Sequence, residues 1–168
     1  ALGGGTGAAF AMATVTHGRL GEPAFGVAPG EAELWVTLRT RTDARMAALV
    51  AEAEALARQA AQAGGLRLAI EYADIFDAVE NAPEAVAALA RALTAADVPF
   101  GPGDLPMRAS EDFGRFGQLA PAAMVFMGAG EDHPALHNPD YDFPDALIPL
   151  TSGIFLRVVR DLLGPPAG

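Results

Sequence analysis

The sequence predicts an α/β protein in two parts: an α+β layer of antiparallel strands and helices, then a part with the pattern of a parallel α/β sheet. Three observations lead there. Phe10 to His17 and Glu31 to Arg41 alternate in polarity and flank a loop dense in Gly and Pro, the pattern of an antiparallel strand pair. Apolar stripes at helical spacing follow. After a change of organisation between Ile75 and Asn81, the run Ala122 to Met127 is apolar without alternation, as in a strand covered on both faces of a parallel sheet.

Residues 1–9 are Gly-rich and read as loop. In the first strand Phe10, Met12, Thr14 and Thr16 share a side. In the second, Leu34, Val36 and Leu38 oppose Glu33, Trp35, Thr37, Arg39 and Arg41. Thr42 or Asp43 caps a helix whose stripe is Met46, Leu49, Val50, Ala53, Leu56, Ala57 and Ala60, and Gly64-Gly65 ends it. Leu66, Leu68, Ile70 and Tyr72 alternate with polar or small residues, predicting a third strand.

Asn81 as cap, with Pro83 and Glu84 after it, opens a second helix with the stripe Val86, Leu89, Ala90 and Leu93. A Pro/Gly linker spans Pro99 to Pro106. The last helix starts near Ile148 with Pro149 in its first turn, and its stripe is Thr151, Ile154, Phe155, Val158 and Leu162. Gly164-Pro165-Pro166 closes it. One strand and a few helices do not complete a doubly wound domain. Either residues 97–168 pack on the first layer or their sheet neighbours lie on a segment outside this sequence.

The 168 residues are 51% apolar and 19% charged, a folded globular composition. The formal net charge is -10, and all 11 basic residues are Arg. Such a chain repels phosphate backbones, so nucleic acid is not an expected partner. No Cys is present, which removes thiolate metal sites and fits a reducing, cytoplasmic compartment. No apolar run is long enough to span a bilayer, and no membrane partner is expected. The N-terminus lacks an initiator Met and a signal peptide; it reads as the middle of something longer.

Chemistry-bearing residues gather between Met107 and Leu147. His137 lies in Leu-His-Asn-Pro, ahead of Asp140, Asp142 and Asp145. Imidazole is a common neutral metal ligand, and nearby carboxylates orient it or share the ion. On spacing alone a loop His between prolines fits a surface residue as well. His133 reads as surface or support, and His17 as structural. Ser110, Glu111 and Asp112 open a short helix. Ser110 caps it and the carboxylates favour its positive end, or Ser110 and Glu111 face a substrate pocket. Arg39 and Arg41 share a strand face with Trp35; an Arg on a sheet either clamps a substrate carboxylate or pairs in solvent. No nucleophile triad, P-loop or dinucleotide fingerprint is present, and the Gly cluster at Gly3–Gly5 and Gly7 carries no phosphate signal.

Three segments in order resemble the zinc-dependent aminoacylase/carboxypeptidase family, most closely its hippurate hydrolase-like amidohydrolases. Gly21 to Arg39 is similar to the family's lid segment, Asn-Val-Ile-Pro-Asp followed by a strand ending in Arg. Ala-Ser-Glu-Asp-Phe at 109–113 resembles Gly-Ser-Glu-Asp-Phe. Leu-His-Asn-Pro-Asp-Tyr-Asp-Phe at 136–143 resembles Leu-His-x-Pro-x-Tyr-Asp-Phe. The family's lid Asn is Gly26 here, so a side-chain contact to substrate is lost or supplied differently.

The resemblance implies a longer parent that hydrolyses the amide bond of N-acyl amino acids or related peptides with two divalent ions, Zn2+ or another such as Mn2+. Residues 1–78 correspond to the later part of a lid that forms a homodimer, and residues 79–168 to the C-terminal end of the catalytic domain. His137 maps onto a metal-binding His, and Arg39 onto a residue holding the substrate carboxylate. The remaining ligands, the general-base Glu and a lid His are expected before Ala1, so no catalytic residue is expected within the chain. Alone it is expected to be inactive and not to retain metal. The competing expectation is a non-catalytic lid-like dimerisation or binding module; a desuccinylase or dipeptidase is the alternative chemistry.

Overall fold

The computed structural model describes residue 7 and residues 9–164. The Gly-rich start at 1–6 and the closing Pro165 and Pro166 lie outside the described residues. The protein is mixed α/β, with one two-stranded antiparallel sheet and four helices among the described residues. It divides into two compact units. The first contains Ala1–Ala78 and Pro106–Ser110; the second contains Val79–Leu105 and Glu111–Gly168.

In the first unit, β1 (Ala11–Leu20) pairs with β2 (Ala32–Thr40) from Ala11 opposite Thr40 to Leu20 opposite Ala32. A bulge falls between Val15 and His17. Thr16 is the extra residue, and its hydroxyl reaches the Trp35 carbonyl at 3.5 Å. The intervening loop is closed by the Gly21 N–H donating to the Glu31 carbonyl at 2.9 Å. Gly21 adopts φ 56, and a Cβ there would meet the Pro29 Cβ at 2.8 Å, so only glycine fits.

Helix α1 (Asp43–Ala63) starts on Thr42, whose hydroxyl accepts from the Arg45 N–H at 3.3 Å. Its end is a Schellman turn. Leu66 N–H donates to Ala61 O at 2.8 Å and Gly65 N–H to Gln62 O at 3.2 Å, with Gly65 at φ 63. Leu49 and Ala61 are buried, and Met46, Val50, Ala53 and Ala57 half-buried. Leu56 and Ala60, expected in the stripe, are exposed.

The expected third strand is corrected. Leu66–Tyr72 joins no ladder, because no described strand lies beside it to exchange backbone hydrogen bonds. Instead it runs antiparallel along α1. The Tyr72 hydroxyl donates to Glu54, and further on the Ala78 N–H donates to Asp43 Oδ1 at 2.7 Å.

In the second unit, α2 (Pro83–Ala95) and α4 (Leu147–Leu163) pack around Leu89, Ala92, Leu93 and Ile154. Ala123, Val125, Met127, Val98 and Val158 lean on this core. Full burial of Ile154 contributes about 1.5–3 kcal/mol by hydrophobic transfer. A short α3 (Gly114–Gly117) lies between them in sequence. Thr151, Ile154 and Val158 form the covered face of α4, while Phe155 and Leu162 are exposed.

Three expectations fail here for local reasons. Ala122–Met127 is not a ladder strand buried on both faces; alternate residues meet the helices, and Phe126 is exposed. Asn81 does not cap α2, whose N-cap is Ala82 without a side-chain bond. Its amide instead engages the Met124 backbone, accepting from N–H at 2.9 Å and donating to C=O at 3.4 Å. Ala82 N–H adds a bond to Ala122 O at 2.8 Å. Finally, α3 begins beyond Ser110, with Phe113 at its N-cap and no side-chain cap.

Candidate functional site

The first unit gathers one polar constellation from two distant stretches. Arg39 is the penultimate residue of β2 and sits opposite Met12. Its Nη1 donates to the Arg108 carbonyl and to the Ser110 hydroxyl, both at 3.0 Å. The Arg108 guanidinium in turn lies 5.3 Å from the centroid of the Phe10 ring, within cation–π range. The segment Pro106–Ser110 is therefore fastened to the sheet end at two points. The expected capping role of Ser110 is replaced by this contact.

Both Arg39 hydrogen bonds use Nη1. Among the described residues Nε–H and Nη2–H make no hydrogen bond, which leaves a planar side-on fork, the geometry that donates two parallel bonds to a carboxylate. Arg39 is half-buried, so a carboxylate bound there would be partly shielded from water. Arg41, on the same strand face, is exposed.

Gly26, where the resembled lid segment has Asn, adopts φ 74 with open space around a built Cβ. The position favours Gly, and Asn is among the few side chains that tolerate it.

The second unit holds Glu111 and the histidines of the candidate stretch. Glu111 is half-buried, and no hydrogen bond or ion pair engages it among the described residues. His137 is exposed and has φ 72. It occupies the third position of a turn closed by the Asn138 N–H donating to Ala135 O at 3.0 Å, where its positive φ is the state found in type II and type I′ turns. A second turn follows, with Tyr141 N–H donating to Asn138 O at 3.0 Å. His133, read from sequence as surface or support, is half-buried. Its ring stands edge-on to Tyr141 with centroids 5.3 Å apart. No sequence signal identified Tyr141 as its partner. His17, read as structural, lies against Trp35 at 4.9 Å between centroids.

A catalytic ion needs about three protein donors. Among the described residues no group of three or more His, Asp or Glu side chains is gathered. His137 has the chemistry of one donor, and the described residues do not themselves compose a metal centre. No step through a metal is therefore derived from them. No helix among them is long and apolar enough to cross a membrane.

A family model, that of peptidase family M20/M25/M40, matches residues 3–161. No curated protein and no solved structure matches the chain. Members of that family are metal-dependent hydrolases that generally use divalent ions. With the match running from the Gly-rich start through nearly all of α4, the chain belongs to peptidase family M20/M25/M40.

Proposed function

We propose that the chain contributes substrate-binding residues to a metal-dependent amidohydrolase that cleaves N-acyl amino acids or related peptides, in the hippurate hydrolase-like branch. The observation that carries this reading is the Arg39–Ser110 contact at 3.0 Å. It joins the strand-end Arg and the Ser-Glu-Asp-Phe segment, while the Nε/Nη2 fork stays available for a carboxylate. In this reading Arg39 binds the α-carboxylate of the N-acyl amino acid. Ser110 orients the guanidinium and contributes a hydroxyl to the same ligand. Glu111 is a further polar substrate contact.

His137 supplies one metal donor, to Zn2+ or Mn2+, and the remaining donors come from outside the described residues. Its left-handed backbone supports that role, since uncommon conformations concentrate at functional positions. The ion would polarise the acyl carbonyl and activate water. The same reading includes a cytoplasmic homodimer formed through the first unit, supported by the exposed Leu34 and Val36 on β2 and by the tendency of a free strand edge to pair.

The test is amino-acid release from a panel of N-acyl amino acids by the full-length gene product supplied with Zn2+ or Mn2+. Hydrolysis of N-benzoylglycine that chelation abolishes is expected. A metal-loaded protein that releases no amino acid from any member of the panel overturns the proposal.

A further inference from the structure

His137 sits midway in a loop whose two ends are held together by aromatic rings. Three turns build it. The His133 N–H donates to Gly130 O at 3.4 Å, the Asn138 N–H to Ala135 O at 3.0 Å, and the Tyr141 N–H to Asn138 O at 3.0 Å. The last two share Asn138, so the chain doubles back and Tyr141 arrives beside His133. The rings meet at 5.3 Å with an interplanar angle of 69°, the edge-to-face arrangement that aromatic pairs prefer. His133 Nδ1 lies 3.0 Å from the Pro134 carbonyl. Donation from Nδ1–H to that carbonyl fixes the imidazole against its own backbone.

Both rings are half-buried, whereas the residues from Ala135 to Asp140 are exposed. Those exposed residues are held by turn hydrogen bonds rather than by burial. Yet His137, four positions from either ring, keeps φ 72, a backbone state that an L residue leaves readily unless its surroundings impose it.

We propose that His133 and Tyr141 are positioning residues: their ring contact clamps the loop 134–140 and holds the His137 turn in its left-handed form. This deepens, and rests on, the reading of His137 as the functional residue of the loop. The clamp itself makes no contact with substrate.

The experiment is NMR on the labelled 168-residue chain, reading backbone order parameters of Leu136, His137 and Asn138 and the three-bond HN–Hα coupling of His137 as a φ signature. The unaltered chain is expected to show rigid values near 0.85. Tyr141→Ala and His133→Ala are each expected to drop them below about 0.6 and to change the His137 coupling. Tyr141→Phe, which keeps the ring, is expected to restore both. Ile154 methyl shifts report whether the core of the unit stays folded; should Tyr141→Ala unfold it, His133→Ala decides. Unchanged order in the alanine variants overturns the clamp, as does a Tyr141→Phe chain as mobile as Tyr141→Ala. Failure of the ligand role of His137 would appear in the hydrolysis and metal assays and leave these loop measurements where they are.

Discussion

Arg39 donates from Nη1 to the Ser110 hydroxyl at 3.0 Å, joining residues 71 positions apart. A charged donor makes a hydrogen bond stronger than a neutral one, and solvent at this half-buried site weakens it. A double-mutant cycle of Arg39→Ala and Ser110→Ala, followed by urea unfolding, is expected to give a coupling energy of about 0.5–1.5 kcal/mol. Strictly additive effects would mean that the two side chains are not joined in solution.

Gly21 closes the loop between β1 and β2 in a conformation where a Cβ would strike Pro29 at 2.8 Å. The contact is with a rigid ring, and the backbone sits at φ 56, so neither side yields easily. Gly21→Ala is expected to cost about 1–3 kcal/mol in urea unfolding. Gly26→Ala, equally left-handed but in open space, is expected to cost about 1 kcal/mol.

His137 is expected to be held against its backbone preference. Replacing it by Gly at φ 72 removes a Cβ penalty of about 1–2 kcal/mol, partly offset by about 0.5–1 kcal/mol of added unfolded-chain entropy. His137→Gly is therefore expected to leave stability unchanged or raise it by up to about 1 kcal/mol. His137→Val is expected to lower it. The midpoints of urea unfolding separate the two. A Gly variant clearly less stable than the parent would mean that the imidazole contributes to the fold.

Glu54 receives a hydrogen bond from Tyr72 and another from Arg58, and these hold its carboxyl below the usual glutamate range. Tyr72 titrates above its ordinary value, chiefly because its hydroxyl donates to Glu54. The signs follow. The Glu54 contribution is present above the unfolded glutamate pKa of about 4.3 and is lost as pH falls through the lower folded value. The Tyr72 contribution is present below about pH 10 and is lost as pH rises through its raised folded value. Tyr72→Phe is expected to move the Glu54 carboxyl back up toward the ordinary range, as read by its Cδ shift. An unmoved titration would mean that Arg58 alone sets it.

Much of the local structure was legible in the residues. The presence of β1, β2, α1, α2 and α4 follows from alternation, helical stripes and stop signals such as Thr42 and Gly64-Gly65, but β1 runs on to Leu20, past the expected end at His17, and α2 starts one residue later than an Asn81 cap requires. The two apolar stretches that failed as strands, Leu66–Tyr72 and Ala122–Met127, failed for one reason. Alternation or apolar content fits a stretch to a sheet but does not supply the neighbour that a ladder requires. Within the candidate site, residue types singled out Arg39, Ser110, Glu111 and His137, and motif resemblance gave Arg39 and His137 their roles. It did not foresee that Ser110 turns to Arg39 rather than to a helix start, nor that Tyr141 returns to His133. Both depend on long-range or turn geometry that residue types alone leave open.

The carboxylate-binding fork proposed for Arg39 is open to a binding experiment: N-benzoylglycine, and separately its carboxamide, titrated into the labelled 168-residue chain while the Arg39 side-chain Nε–H and the Ser110 amide are followed. The acid is expected to move both signals and the carboxamide neither, and Arg39→Ala is expected to abolish the Ser110 response. Equal responses to acid and carboxamide, or a Ser110 response that survives Arg39→Ala, would contradict the proposed fork.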